Sequence, residues 1–377
     1  MHDSENPRES IEEFGARADT WLSTSIPPRW KSERGALSTS ESDAIRRDWD
    51  RTLSEAGFAG LSLPKEFGGQ GMGLAEEVAF HVLAAKAQAP DGLARIGKIL
   101  TAPLLVRFGT VAQQARYLPK ILNGEEIWCQ GFSEPTAGSD LASIASRATR
   151  VSGGYHIRGR KTWTSFVQHA DRCLMLVQTD EQAPRYKNLS LFLVDMRQAG
   201  VTVDDIRQIS GAVHFAEVQF TDVFVSDDDR VGADGEGWKL AMSILSDERG
   251  GAEAATRYVE IRSDIDALLE TCGDRPDLAA ELSALDIRAE ALRWHLSKVV
   301  DLEGEQGEAF LRAVSVLKVV WSELWQDVTR AGWRAGNPDD REHWRFQYLE
   351  SRSASIYSGT NEIQRNIMAE RVLGLPR

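Results

Sequence analysis

The chain has 377 residues, a formal net charge of −13 and a pI near 5.2. That balance argues against a duplex nucleic-acid binder, which needs a basic face, although a few local Arg or Lys residues suffice for a small anionic ligand. With 42% hydrophobic and 27% charged residues, it is long and apolar enough for two or three domains with substantial cores.

The first 125 residues read as mostly helical. Ile11, Phe14, Ala18 and Trp21 fall at helical spacing, as do Ala79, Val82 and Leu83. Pro27-Pro28 and the stretch from Pro64 to Gly73 interrupt them. Near Glu126 the pattern changes to short β-rich runs separated by turn residues: Tyr155-His156-Ile157, Cys173 to Val177, Leu189 to Val194 and Val218-Gln219-Phe220. After Gly237 helix returns. Leu278, Leu282, Leu285, Ala289, Leu292, Leu296 and Val299 repeat at steps of four and three, and Val314, Leu317, Trp321, Leu324 and Val328 do the same. Such narrow seams predict helices of an antiparallel bundle. The expected architecture is α+β and multidomain: a helical domain over 1–125, a β-domain over 126–232 and a helical bundle over 233–377.

Cys129, Cys173 and Cys272 are far apart, with no CxxC and no neighbouring His pair. Buried reduced thiols are therefore expected rather than a disulfide framework, and no metal site is expected. The start, Met1 to Pro7, lacks a signal-peptide pattern, and no apolar run approaches the roughly 18 residues needed to span a bilayer. A cytoplasmic protein without membrane contact is expected.

Several local stretches carry more. Trp128 to Ser133 runs into Glu134-Pro135-Thr136-Ala137-Gly138-Ser139-Asp140, which by composition is a surface loop. Lys161-Thr162-Trp163-Thr164-Ser165 follows a predicted strand and by itself reads as a core tryptophan in a sheet. Asp247-Glu248-Arg249 reads as a solvated helix face. Ile356-Tyr357-Ser358-Gly359-Thr360-Asn361-Glu362-Ile363-Gln364-Arg365 reads as a tight turn before a last helix. Gly68 to Gly73 lacks both the Walker lysine and the GxGxxG spacing, so it is a glycine turn rather than a phosphate loop.

Together these stretches resemble the acyl-CoA dehydrogenase family, most densely over 121–177, 206–249 and 351–377. The resemblance implies that family's fold of helical domain, β-domain and four-helix bundle. It also implies FAD, an acyl-CoA substrate, electron-transfer flavoprotein as acceptor, and a homo- or hetero-tetramer with a related subunit. The implied reaction is α,β-dehydrogenation to the trans-2-enoyl-CoA in fatty-acid or steroid side-chain catabolism. By the same resemblance Gln130, Phe132, Ser133, Ser139, Trp163, Thr164, Ser165, Thr360 and Asn361 contact the flavin cofactor. Ser139, Ser246, Arg249, Ser358 and Gly359 contact substrate.

The chain departs from the family at a decisive place. Many members carry their catalytic glutamate between the Tyr and the Gly of the last turn, where this chain has Ser358. A serine hydroxyl cannot take an α-proton at neutral pH. Some members place the base instead at a helix position matched by Glu248, followed by an Arg matched by Arg249, so Glu248 is the expected base. Ser358 keeps its main-chain N–H, which in the family helps to hold the thioester oxygen.

Phe166, Val167 and Gln168 also add bulk where relatives often have small residues. Between 250 and 336 the family's Arg, Phe-Gly, Gln and glycine-rich loop have only Asp274-Arg275-Pro276 and Ala335-Gly336-Asn337-Pro338 near their positions. This resembles the subset built from two different subunits, several of which act on steroid side-chain thioesters and complete the flavin site with partner residues. Two alternatives stay open: a non-catalytic partner subunit, and a flavin oxidase or monooxygenase on the same fold.

Overall fold

A computed structural model describes residues 9–248, 251–271, 273, 275–303, 308–335 and 340–376; of Ser246, Asp247, Glu248 and Glu308 it describes only the backbone. Arg249, Cys272, Asp274 and Gly336-Asn337-Pro338 lie outside the described residues. In chain order the helices are α1 (Ile11–Ser25), α2 (Pro28–Glu33), α3 (Thr39–Glu55), α4 (Leu74–Lys86), α5 (Ala102–Phe108) and α6 (Val111–Leu122), then α7 (Gly237–Glu248), α8 (Gly251–Thr271), α9 (Pro276–Asp301), α10 (Glu308–Ala335), α11 (Arg341–Ser351) and α12 (Asn361–Ile367). Between α6 and α7 run β1 (Trp128–Gly131), β2 (Arg147–Val151), β3 (Gly154–Ser165), β4 (Arg172–Gln178), β5 (Leu189–Asp195), β6 (Val201–Ile206), β7 (Phe215–Ser226) and β8 (Arg230–Val231). The order of helices, sheet and helices is the expected one.

The chain forms two compact units. One comprises Met1–Leu37, Met72–Pro90 and Arg249–Arg377; the other comprises Ser38–Gly71 and Asp91–Glu248.

In the first unit, α8 packs against α9, α10 and α4. Every member of the two predicted seams on α9 and α10 is buried in one core with Ile261, Ile265 and Trp344. The helix α1 opens with a capping box in which Ser10 and Glu13 satisfy each other's backbone N–H. Its seam differs from the expected one: Phe14, Ala18 and Leu22 are buried, Ile11 is 44% exposed, and Trp21 sits at the margin near Phe80. Steps of four and steps of three-then-four share Phe14 and Ala18, and only the neighbouring α4 decides between them.

In the second unit the sheet order is β6-β7-β3-β2-β4-β5-β8, with β1 added parallel to β4. β4 and β5 are covered on both faces. Leu174, Leu176, Leu189, Leu191 and Leu193 face the helices α5, α6 and α7, while Met175, Val177, Phe192 and Val194 face Tyr155, Val218 and Phe220. That double burial explains why these two strands read as continuous apolar runs without alternation.

Candidate functional site

The loop after β1 is held by a buried ion pair. Gly131 ends the strand, and a Cβ there would lie 2.7 Å from Cys173 Sγ, so the close approach of β1 to β4 requires glycine. Lys161 on β3 has no solvent exposure. Its Nζ donates to the Phe132 carbonyl at 3.0 Å and to Glu134 Oε1 at 2.7 Å. The Glu134 carboxylate also accepts the backbone N–H groups of Ala145 at 2.6 Å and Ser146 at 3.0 Å. Burial pushes the Glu134 pKa up, but the Lys161 charge and these hydrogen bonds outweigh it and hold the carboxyl below its ordinary value. Burial pulls Lys161 down, with Glu134 opposing. The Thr162 N–H donates to the Ser133 carbonyl at 3.0 Å, and Glu134 and Ala137 exchange backbone hydrogen bonds at 3.0 Å across Pro135-Thr136. Phe132 is buried, Gln130 and Ser133 are half-buried and Ser139 is exposed.

One step along β3 the ladder to β7 slips. Lys161 pairs with Val218 but Thr164 pairs with Ala216, so the bulge places one extra residue on β3. Trp163 occupies it at φ +58°, between buried Thr162 and Thr164, and is 57% exposed with its ring edge-on to Phe215 at 5.9 Å. A left-handed aromatic residue costs on the order of 1–3 kcal/mol, and a large indole in water adds an unburied apolar surface. Folding alone gains from neither. Among the described residues the buried Thr164 Oγ1 has no hydrogen-bond partner, and Ser165 is half-buried. Phe166 follows, also left-handed at φ +56°, and its bulk packs into the helix-side core beneath the Arg46 guanidinium.

The helix that ends at Glu248 is docked on the same unit. A Cβ at Gly237 would lie 2.6 Å from the Ser190 backbone, so α7 starts tight against β5. Leu240, Ala241 and Ile244 are buried in the core below it, and Trp238 stacks obliquely on Tyr186 at 4.9 Å. Glu248 is the last residue of α7. Its side chain and that of Ser246 lie outside the described residues, as does Arg249 altogether.

The remaining candidates lie in the bundle unit. Ser358 at φ +52° and Gly359 at φ +82° form a left-handed pair ahead of α12. Thr360 caps that helix by accepting the Ile363 N–H at 3.2 Å. Asn361 is buried, and its amide is engaged within the bundle: Oδ1 accepts from Lys318 Nζ at 2.8 Å, and Nδ2 reaches Ser322 Oγ at 3.1 Å. Lys318 also donates to the Ala354 carbonyl at 2.9 Å. Gln364 donates toward the Ser358 and Gly359 carbonyls at 3.4 and 3.5 Å. A polar row on α10 thus forms the bed of the turn.

The structure brings Gln130, Phe132, Ser133, Ser139, Trp163, Thr164, Ser165 and the backbone of Glu248 into one unit, and Ser358, Gly359, Thr360 and Asn361 into the other. Sequence reasoning missed the roles of Lys161, Glu134, Lys318 and Gln364. The one signal for the first was a lysine at an inward position of an apolar strand.

The chain order of helices, β-domain and helical bundle is the layout of an acyl-CoA dehydrogenase. Family models described as the N-terminal, middle and C-terminal domains of acyl-CoA dehydrogenase match residues 8–125, 129–223 and 235–373, and the chain belongs to this family. It is 37% identical to acyl-CoA dehydrogenase IpdE1 of Mycobacterium tuberculosis (strain ATCC 25618 / H37Rv), over 98% of this chain and 99% of that one. Among solved structures, the ChsE4-ChsE5 complex from Mycobacterium tuberculosis has a TM-score of 0.82 at 26% identity, covering all of both chains. A variant of the Tcur3481-Tcur3483 steroid ACAD has a TM-score of 0.83 at 25% identity, covering 97% of this chain and 99% of that one.

Proposed function

We propose that the chain is the catalytic subunit of a flavin-dependent acyl-CoA dehydrogenase that converts a CoA thioester to its trans-2-enoyl-CoA. The observation that carries this reading is Trp163: a strained, solvent-facing indole beside the Thr164 hydroxyl, which has no partner among the described residues, and the loop clamped by Lys161. A flat apolar surface bordered by hydroxyls and backbone amides fits an isoalloxazine ring. Bound FAD would supply the hydride acceptor for the β-carbon. Gln130, Phe132, Ser133, Ser139, Trp163, Thr164 and Ser165 would hold it, and the family resemblance adds Thr360 and Asn361.

Glu248 is the proposed base for the α-proton. A carboxylate screened from water by bound substrate has a raised pKa and accepts a proton more readily. Ser139, Ser246 and Arg249 would hold the thioester's polar groups, and the main chain at Ser358-Gly359 its carbonyl oxygen. This reading divides the chain functionally at 1–125, 126–232 and 233–377. It includes electron-transfer flavoprotein as acceptor and a cytoplasmic setting; no described helix is long and apolar enough to cross a membrane. The likeness to a steroid ACAD supports a steroid side-chain or fatty acyl thioester as substrate.

Anaerobic titration with a panel of acyl-CoAs should bleach the flavin band. Glu248→Gln should lower that rate by at least about a thousandfold, the upper half of what a general base contributes together with positioning, while leaving flavin content intact. Undiminished bleaching in that variant removes Glu248 from the mechanism. A second reading, a non-catalytic partner subunit, draws on Ser358 and on the likeness to the ChsE4-ChsE5 complex. Full activity of the co-expressed pair carrying Glu248→Gln would favour it.

A further inference from the structure

We propose that Gln364 is a positioning residue for the thioester: its side-chain amide fixes the direction of the main-chain N–H groups at Ser358-Gly359 that receive the thioester oxygen. The inference rests on the dehydrogenase reading above. Gln364 lies on α12 and has no solvent exposure. Its Nε2 reaches back to both carbonyls of the turn, Ser358 at 3.4 Å and Gly359 at 3.5 Å. Its Oε1 is buried and meets no donor among the described residues. An apolar side chain of similar length would fill this position without leaving an acceptor unpaired, so packing alone does not call for glutamine. Capping does not call for it either, because Thr360 already accepts the Ile363 N–H at 3.2 Å. What the amide serves is the pair of carbonyls.

That turn has a conformation to be held. Ser358 at φ +52° and Gly359 at φ +82° are consecutive left-handed residues, and the serine is in a region that side chains disfavour. A trans peptide is planar, with its N–H pointing opposite to its C=O. Holding the Ser358 carbonyl against Gln364 therefore turns the Gly359 N–H away from it, and holding the Gly359 carbonyl fixes the next peptide plane. Without the amide, nothing among the described side chains opposes a flip of the peptide between Ser358 and Gly359. A donor fixed before the reaction stabilises charge on an oxygen far better than one that must first reorient.

The test compares two ligands that cannot be dehydrogenated: a trans-2-enoyl-CoA, and the matching S-alkenyl-CoA thioether with CH2 in place of the carbonyl. Each is titrated into the flavin-containing holoenzyme. The wild type should prefer the thioester by about tenfold, the worth of one well-placed hydrogen bond. Gln364→Met keeps the length and the helix. It should bind the thioester about tenfold more weakly and the thioether unchanged, with flavin content and helical circular dichroism intact. A residue that only supports the fold would weaken both ligands together. Gln364→Glu carries a donor only while protonated, so its preference for the thioester should fade as the pH rises from about 6 to about 9, with burial raising the carboxyl's pKa into that interval. This series also covers the case in which Gln364→Met fails to fold. Equal losses for both ligands, a full preference in Gln364→Met, or a Gln364→Glu preference that does not change with pH overturns the proposal. A wild type that binds neither ligand defeats the acyl-CoA reading itself, and so the two failures are told apart.

Discussion

Lys161 is a cation with no water around it, and its neighbours define what it does. Nζ joins the Phe132 carbonyl to the Glu134 carboxylate, and that carboxylate holds two further backbone amides. Removing one partner leaves the other buried and uncompensated, which costs about 3–5 kcal/mol. Lys161→Met should therefore lower stability by that order in urea denaturation. The double variant Lys161→Met/Glu134→Gln, which removes both charges and keeps an amide oxygen for the Ala145 and Ser146 N–H groups, should recover part of the loss, while flavin retention on gel filtration should fall because the loop is no longer tied to β3. The motif around this lysine was legible in the sequence, but its burial was not, since lysine is seldom wholly buried. The strain at Trp163 was equally hidden. It arises from a register slip against β7, and register is a property of two strands rather than of either alone.

At the scale of elements, periodicity succeeded where one neighbour dominates and failed where two compete. The seams of α9 and α10 were legible residue by residue because each faces one continuous core. On β7 the buried set runs Ala216, Val218, Phe220 and then Val223, Val225, changing parity where Asp222 turns left-handed at φ +54°. Only the stretch before that kink reads as a simple alternation. In α8, Asp264 is raised from 3.8 to about 7, first by burial and then by Glu260 one turn earlier, with Arg257 opposing. A carboxyl whose folded pKa lies above its unfolded value binds its proton more tightly in the folded state. Its ionisation therefore costs stability progressively as the pH rises from about 4 to above 7. Asp264→Asn should raise the thermal midpoint at pH 8 and change it little at pH 4, so that a scan across that interval shows the gap closing on acidification.

For the whole molecule, the succession of helices, sheet and helices was legible from the change in period near residue 126. The passage of the chain back and forth between two cores was not. The helices α1, α2 and α4 belong with α8–α12, while α3, α5 and α6 belong with the sheet, and amphipathic patterns do not say which apolar faces meet. The leucine face of β4 and β5 is covered by α5, α6 and α7, so a fragment of residues 126–232 alone would leave that face in water. Such a fragment should give a collapsed amide NMR spectrum and aggregate, and adding 91–125 and 233–248 should restore dispersion. A dispersed spectrum from 126–232 alone would show that the sheet needs no helical cover.

The threading of the chain through both cores also sets an order of events at the ribosome. The sheet-containing unit has all of its residues once position 248 has emerged, whereas α4, made well before the sheet, meets α8 only after position 271 has emerged. The face that α4 turns to α8 is therefore left without its mate throughout synthesis of the sheet.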